Sequence, residues 1–128
     1  MKNLLYNMFA NIQNGQTSNK KFIIQTRKKI CESFLNILWD EGFILGYKNS
    51  KHKPNTLKIF LKYQNGNPVI QLIKVLSKPS LRVYYSVKQL WKLEPSKGTI
   101  VVSTAKGFMS SSDCKKKTIG GEPFIIVK

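Results

Sequence analysis

Five consecutive residues near the end of the chain, Ser103 to Gly107, carry side chains suited to chemistry. Ser103 and Lys106 stand three positions apart, the S-x-x-K spacing that some serine acyl-enzymes use for a nucleophile and its neighbouring base. Those enzymes also need a Ser-Asp-Asn and a Lys-Thr-Gly sequence. Neither is present, since Lys117-Thr118 is followed by Ile119. The sequence therefore disfavours a hydrolase, and we predict that the chain is not an enzyme.

The same residues suit a second chemistry, which is the binding of a sugar–phosphate backbone. Hydroxyl and backbone N–H groups of a Ser-Thr-x-Lys-Gly loop can donate hydrogen bonds to phosphates and to 2′-OH groups. Glycines without a Cβ allow such a backbone to come close, and the candidates are Gly107, Gly120 and Gly121. Arg82 and the pair Tyr84-Tyr85 can add an ion pair and a stacking surface, although strand alternation places one tyrosine in the core.

The charge of the whole chain indicates a polyanionic partner. Its 128 residues include 22 basic and 6 acidic ones, which gives a net charge of +16. No acidic residue lies between Gly42 and Leu93, a segment that is rich in lysine. A membrane-binding helix would concentrate lysines opposite one apolar stripe, and no apolar run is long enough to span a bilayer. Nucleic acid is therefore the predicted partner, with no membrane and no small-molecule substrate.

No residues in the sequence have the spacing of a cofactor or metal site. Neither the GxxxxGK[ST] nor the GxGxxG pattern occurs, and the one histidine, His52, lies in a basic loop without a neighbouring cysteine or carboxylate. Cys31 and Cys114 lack CxxC spacing, so we expect free thiols. We predict no cofactor and no metal.

Strands and a short helix must position the polar loop. Thr99–Val102 is a β-branched run typical of a strand. Ser110-x-x-Asp113 resembles a capping box that starts a helix, and Lys115–Lys117 suit the negative end of its dipole. Gly120 is predicted to end this helix in the left-handed conformation. Phe124–Val127 is predicted as the closing strand.

The first half of the chain alternates helical and strand-like periods. The predicted elements are a helix over 4–13 stopped by Asn14-Gly15, a strand over 22–24, a helix over 27–40 capped by Thr26 and ended by Gly42, a strand over 43–48, and a hairpin of 57–63 with 69–76. We predict an α+β fold of two small α+β domains with a boundary at Ser77-Lys78. Residues 1–77 form an N-terminal domain of the α-β-α-β-β type, and residues 78–128 a mostly antiparallel β domain with a short helix.

Several segments together resemble one known family. They are Ile12-Gln-Asn-Gly15, Asp40-Glu-Gly-Phe43, Leu61-Lys-Tyr63, Lys78-Pro-x-Leu-Arg-Val-Tyr84, Gly98-x-x-Val-Val-Ser-Thr-x-Lys-Gly107 and Ile119-Gly-Gly-Glu122. In this order they are similar to bacterial-type small-subunit ribosomal protein eight, over the whole chain. The resemblance implies a non-catalytic protein of two small α+β domains. It also implies binding to a helix in the central domain of the small-subunit ribosomal RNA, mainly through the C-terminal domain, beside other small-subunit proteins.

Matched position by position, the resemblance implies a set of RNA-binding residues. They are Asn14, Lys78, Pro79, Arg82, Tyr84, Tyr85, Ser103, Thr104, Ala105, Lys106, Gly107, Gly120, Gly121 and Glu122. Glu122 is expected to hold the loop or to bind a hydroxyl. Ala105 stands where many members have serine, and Asn11 and Gln13 stand where relatives often carry arginine.

Composition gives an expectation about the source. All but two of the basic residues are lysines, and asparagine and isoleucine are frequent, as in proteins encoded by A+T-rich genomes. With the departures from the family pattern, this favours an organelle-encoded protein of the mitochondrial ribosome in the matrix; the alternatives are a plastid and the bacterial cytoplasm. A general basic RNA-binding protein or RNA chaperone would require only the charge, and it is the functional alternative.

Overall fold

A computed structural model describes residues 2–75 and 98–128, and side chains from residue 4 onwards. The chain divides into two compact units, Met1–Gln71 and Leu72–Lys128, called here the N-terminal and the C-terminal unit. Both contain helices and antiparallel sheet, which confirms the α+β class. The predicted boundary at Ser77-Lys78 lies outside the described residues.

The N-terminal unit packs helices on one face of a three-stranded antiparallel sheet with the strand order β1-β3-β2. Its elements are α1 (Lys2–Thr17), β1 (Phe22–Thr26), α2 (Lys29–Asp40), β2 (Ile44–Asn49) and β3 (Thr56–Leu61), in the predicted α-β-α-β-β order. Alternate residues of β3 are buried, as strand periodicity requires. Between the helices, the rings of Phe9 and Phe34 lie 4.7 Å apart by centroid.

Helix α1 continues past the predicted stop at Asn14-Gly15. Gly15 is helical and buried, and a Cβ there would lie 2.6 Å from Cγ2 of Ile23 in β1. The glycine therefore serves close helix–strand packing, and the predicted stop at Asn14-Gly15 was wrong. The chain turns later, at Asn19, which has a φ of 56°.

Helix α2 confirms its predicted end but not its predicted start. The preceding residue is Lys28, whose side chain makes no capping hydrogen bond, whereas Thr26 is the last residue of β1 and pairs with Thr56. The Thr26 cap was wrong because sheet pairing extends β1 over this residue. At the other end, Gly42 has a φ of 80°, and the N–H of Phe43 donates to the Leu38 carbonyl at 2.8 Å, as in a Schellman motif.

The predicted hairpin around Asn65-Gly66 is present but short. Its strands, β4 (Tyr63–Gln64) and β5 (Asn67–Pro68), have two residues each. Pro68 has no N–H to continue the ladder. The strand within the predicted 69–76 run, β6 (Ile73–Val75), pairs instead with the last strand of the chain, so its predicted pairing with residues 57–63 was wrong.

The C-terminal unit is a four-stranded antiparallel sheet with the order β6-β9-β7-β8 and a short helix. Its remaining elements are β7 (Thr99–Thr104), β8 (Gly107–Ser110), α3 (Ser111–Lys117) and β9 (Glu122–Val127). Cys114 of α3 is buried against Ile100 and Val102 of β7. The helix therefore covers one face of the sheet and fixes the strand that leads to the polar loop.

The two ends of α3 were predicted with different success. The Ser110 hydroxyl accepts a hydrogen bond from the Asp113 N–H at 3.2 Å, which confirms the predicted cap. The left-handed residue at the other end is Thr118, with φ 54° and ψ 46°, and not Gly120. The Ile119 N–H donates to the Cys114 carbonyl at 3.0 Å. This hydrogen bond requires Thr118 to adopt the left-handed conformation, two residues before Gly120.

Candidate nucleic-acid interface

The predicted polar loop is the tip of the β7–β8 hairpin. Thr104 pairs with Gly107, and the turn between them consists of Ala105 and Lys106. Gly107 has a φ of 106°, which side chains disfavour, so glycine is required at the point where β8 begins. The tip therefore presents four consecutive residues at the end of two hydrogen-bonded strands.

The hydroxyl of Thr104 is used within the turn. It donates to the Gly107 carbonyl at 2.6 Å and accepts from the Lys106 N–H at 3.2 Å. A hydroxyl has one proton and two lone pairs, so one lone pair remains for an outside donor such as a 2′-OH. Thr104 thus shapes the tip and can accept a hydrogen bond from a ligand, whereas the sequence suggested a donor.

The remaining polar groups of the tip face solvent. Ser103, Ala105, Lys106 and Gly107 are exposed. Within the described part of the chain, the Ser103 hydroxyl and the Lys106 ammonium have no hydrogen-bond or ion-pair partner. These two side chains are the donors that the tip offers to an anion.

The turn at Gly120-Gly121 lies beside the hairpin tip. Ser103 of β7 pairs with Glu122 of β9, and Gly121 precedes that pair. A Cβ on Gly121 would lie 2.6 Å from the Ser103 carbonyl oxygen and 2.7 Å from Cγ1 of Val102. Gly121 is buried, while Gly120 and Glu122 are half-buried. The absence of a side chain at Gly121 is explained by packing against β7 and not by space left for a ligand.

The backbone at the tip does not match the S-x-x-K arrangement of acyl-enzymes. Residues at positions i and i+3 share a face when they are helical, which brings two side chains together. Here Ser103 is the penultimate residue of a strand and Lys106 is in the turn that follows. The spacing in sequence therefore does not create a helical Ser–Lys pair.

Helix α3 adds cations to the C-terminal unit. Lys115, Lys116 and Lys117 occupy its last turn, where the helix dipole favours positive charge, and Asp113 occupies its first turn. Lys116 and Lys117 are exposed. The cluster has a local electrostatic explanation, and it also raises the positive potential of this unit.

The other predicted site residues lie either outside the described residues or in the N-terminal unit. Lys78, Pro79, Arg82, Tyr84 and Tyr85 lie outside the described residues. Asn14 is an exposed residue of α1 in the N-terminal unit.

Asn11, at a position where arginine was expected from the resemblance, has a structural role. Its side-chain amide donates to the Ile24 carbonyl at 2.9 Å and to the Gln25 side chain at 3.1 Å, which ties α1 to β1. These contacts direct the Asn11 amide towards the protein.

A second polar and aromatic surface, on the N-terminal sheet, was not predicted as a site. Phe22 of β1 and Phe60 of β3 are directly paired, and Nζ of Lys58 lies 3.9 Å from the Phe22 ring centroid. Strand alternation puts Lys58 and Phe60 on the same side of β3. The neighbouring strand could not be identified from the sequence, because β1 and β3 are separated by a helix and another strand.

Neither cysteine has the surroundings of a reactive or metal-binding thiol. Cys31 and Cys114 are free and buried, and burial above all raises the pKa of each thiol. Across residues 2–75 and 98–128 no group of three His, Cys, Asp or Glu side chains could hold a metal ion. In the same part of the chain, no helix is long and apolar enough to cross a bilayer.

Comparison with known proteins gives one consistent answer over nearly the full length. The sequence model of the family described as ribosomal protein S8 matches residues 3–127. The small ribosomal subunit protein uS8 of Buchnera aphidicola subsp. Cinara cedri is 39% identical over 122 residues, which cover 95% of this chain and 94% of that protein. The protein of the same name from Wigglesworthia glossinidia brevipalpis is 38% identical over 122 residues, with the same coverage of 95% and 94%. That of Ehrlichia canis is 40% identical over 119 residues, which cover 91% and 89%. The chain therefore belongs to the ribosomal protein S8 family.

Proposed function

We propose that this protein is a structural, non-catalytic constituent of the small ribosomal subunit. In this role it binds the central-domain helix of the small-subunit ribosomal RNA and supports subunit assembly and translation. The observation that carries the proposal is the family match over residues 3–127, joined by relatives named as small ribosomal subunit proteins. The net charge of +16 agrees with an RNA partner.

The hairpin tip supplies the specific part of the proposed contact. The Ser103 hydroxyl donates a hydrogen bond to a phosphate or a 2′-OH, and the remaining lone pair of the Thr104 hydroxyl accepts one from a 2′-OH. Lys106 neutralises a phosphate beside them. Because Thr104 holds the turn through two hydrogen bonds, the backbone that carries these groups is ordered before RNA binds, which reduces the entropy lost on binding.

The remaining predicted residues extend this contact in our proposal. Glu122, paired with Ser103, orients the tip or accepts a 2′-OH, and Gly120 keeps the approach open. Residues Lys78, Pro79, Arg82, Tyr84 and Tyr85 of a C-terminal RNA-binding domain over 78–128, and Asn14 of the N-terminal domain over 1–77, are assigned to RNA from the family resemblance. Neighbouring small-subunit ribosomal proteins are the proposed protein partners.

The test compares a short RNA hairpin that carries the sequence of the central-domain helix with a scrambled duplex of equal length. We expect tighter binding to the hairpin. Ser103→Ala should reduce this preference because it removes a hydrogen-bond donor. Lys51→Gln, at an exposed lysine of the N-terminal unit, should weaken binding to both RNAs by removing charge alone. Equal affinity of the unmodified protein for both RNAs would contradict specific recognition and support the general RNA chaperone.

For the cellular location, we propose a mitochondrial ribosome with an organelle-encoded protein, on the basis of the lysine-rich composition. The relatives found are bacterial, so a bacterial cytoplasm is the competing assignment. Sequencing the ribosomal RNA that copurifies with the native protein decides between them. Mitochondrial small-subunit RNA would support the proposal, and plastid or bacterial RNA would overturn it.

A further inference from the structure

The side of the N-terminal sheet that faces away from α1 and α2 carries an exposed aromatic and cationic surface. We call it the outer sheet face and define it by Phe22, Ile24, Lys48, Lys58 and Phe60. The strand register brings them together, since Phe22 pairs with Phe60, and Lys58 pairs with Ile24 on one side and Lys48 on the other. The intervening β3 residues point the other way and are buried.

The outer sheet face exposes large apolar groups. Phe22 is 41% exposed and Ile24 is 38% exposed, and Leu45 at the adjacent bulge of β2 is 61% exposed. Several large apolar side chains grouped on one face of a small unit indicate an interaction surface more often than isolated ones do.

Lysines lie directly over the aromatic rings of this face. Nζ of Lys58 is 3.9 Å from the ring centroid of Phe22 and 5.4 Å from that of Phe60, and Nζ of Lys48 is 5.6 Å from the Phe60 centroid. The two rings themselves are 6.4 Å apart. Charge and aromatic area are therefore interleaved and not segregated.

Acidic groups of the N-terminal unit lie on the other side of the sheet. Its three acids, Glu32, Asp40 and Glu41, belong to α2 and its C-terminal cap. Helix α2 packs on the inner face, where the Tyr47 hydroxyl donates to the Asn36 side chain at 2.6 Å. The outer sheet face thus combines aromatic rings with charge of one sign only.

We propose that the outer sheet face binds single-stranded RNA, with bases stacked on Phe22 and Phe60 and phosphates neutralised by Lys48 and Lys58. This is a second RNA contact, separate from the one proposed for the tip of the β7–β8 hairpin. It rests on the proposed function only in taking RNA as the polyanion. A protein partner would need apolar anchors within an acidic surface, whereas single-stranded RNA offers both flat apolar groups and regular negative charge along its length.

Binding requires Lys58 to move. Its ammonium now lies where a base would stack on Phe22. An exposed cation–π contact is weaker than base stacking on an aromatic ring, and a phosphate offers the ammonium a full negative charge. A base of the incoming strand therefore stacks on the Phe22 ring, and a phosphate of the same strand pairs with the Lys58 ammonium.

The experiment measures the fluorescence anisotropy of a labelled ten-nucleotide oligouridine with the full-length protein. Phe22→Leu and Phe60→Leu keep an apolar side chain but remove the ring, and each is expected to weaken binding by about tenfold. Trp39→Leu is the matched control, because Trp39 is 49% exposed on α2 and its ring packs against Tyr47 on the inner side of the sheet. Circular dichroism verifies that each variant is folded.

The design separates this proposal from the proposed function. The ring variants should leave affinity for the central-domain hairpin unchanged, and Ser103→Ala should leave oligouridine affinity unchanged. Ultraviolet crosslinks to oligouridine should fall in residues 22–26 and 56–61. The proposal is overturned if the ring variants bind oligouridine normally, or if Trp39→Leu weakens binding equally. It is also overturned if Phe22→Leu blocks incorporation into the subunit at unchanged oligouridine affinity, since that result identifies a protein contact.

Discussion

Replacing Gly121 with alanine tests why a glycine stands beside the hairpin tip. The added Cβ would lie 2.6 Å from the Ser103 carbonyl oxygen, 2.7 Å from Cγ1 of Val102 and 3.0 Å from Cγ2 of Thr104. The oxygen belongs to the backbone of β7, so no side-chain rotation removes the contact. The two strands must separate, or the start of β9 must shift.

The size of the effect follows from these distances. To restore an ordinary contact of 3.4 Å, the Cβ and the oxygen must move apart by about 0.8 Å. This shift falls on the strand pair that holds Val102 in the buried cluster with Ile100 and Cys114. Overpacking of this kind costs about 1–3 kcal/mol. We expect Gly121→Ala to lower the free energy of unfolding by about 2 kcal/mol, roughly a 30-fold change in the folding equilibrium.

The assay is hydrogen exchange measured by mass spectrometry on peptides from residues 98–128, without RNA. Gly121→Ala should increase hydrogen exchange in β7 and β9, and it should also weaken binding of the central-domain RNA hairpin. Ser103→Ala is the control in the adjacent strand. It removes an exposed hydroxyl and should change the free energy of unfolding by less than about 0.5 kcal/mol, while still weakening binding of the RNA hairpin. Unchanged exchange in Gly121→Ala, with RNA binding lost, would refute the packing explanation and favour a direct RNA contact at this glycine.

Three further predictions concern stability. Thr118→Gly should stabilise the protein by about 0.5–1 kcal/mol in chemical denaturation, because a β-branched residue in the left-handed conformation is strained; Asn65→Gly, at a residue that tolerates this conformation, should change stability by only a few tenths, and a loss in Thr118→Gly would contradict the argument. Ser110→Ala should cost about 1 kcal/mol through loss of the α3 cap, whereas the exposed Ser112→Ala should be nearly neutral; equal effects would contradict the capping role. Burial raises the pKa of the Cys31 thiol, so the unfolded state releases its proton first, and the free energy of unfolding should fall as the pH rises above about 8.5. The slope should be smaller in Cys31→Ala when unfolding is followed as a function of pH, and an identical slope would exclude this thiol as a source.

Elements governed by local sequence were predicted well. The β-branched run of β7, the Ser110 cap and the glycine after α2 each act within a few residues, so their physical causes are visible in the sequence. The burial of every second residue of β3 also follows the period of two that a strand requires. Propensity, periodicity and capping chemistry agree at these places, and where they agree the secondary structure can be predicted from the sequence.

The errors arose where a distant contact decided the local structure. Gly15 was expected to stop α1, but its role is to admit Ile23 of β1. The run after Pro68 was expected to pair with its sequence neighbour, but β6 pairs with β9 at the far end of the chain. Thr26 was expected to cap α2, but it pairs with Thr56 of β3. A glycine in a sequence can serve either a positive φ or a close contact with another element. Only the fold shows which of the two applies.

The candidate site shows the same division between residue type and residue role. Ser103 and Thr104 are adjacent hydroxyl residues and look equivalent in the sequence. In the structure, Thr104 closes the turn with two hydrogen bonds, and Ser103 remains exposed at the end of β7. The turn depends on Thr104, so loss of RNA affinity on replacing that residue would reflect tip geometry, whereas loss on replacing Ser103 would reflect a contact with the RNA itself.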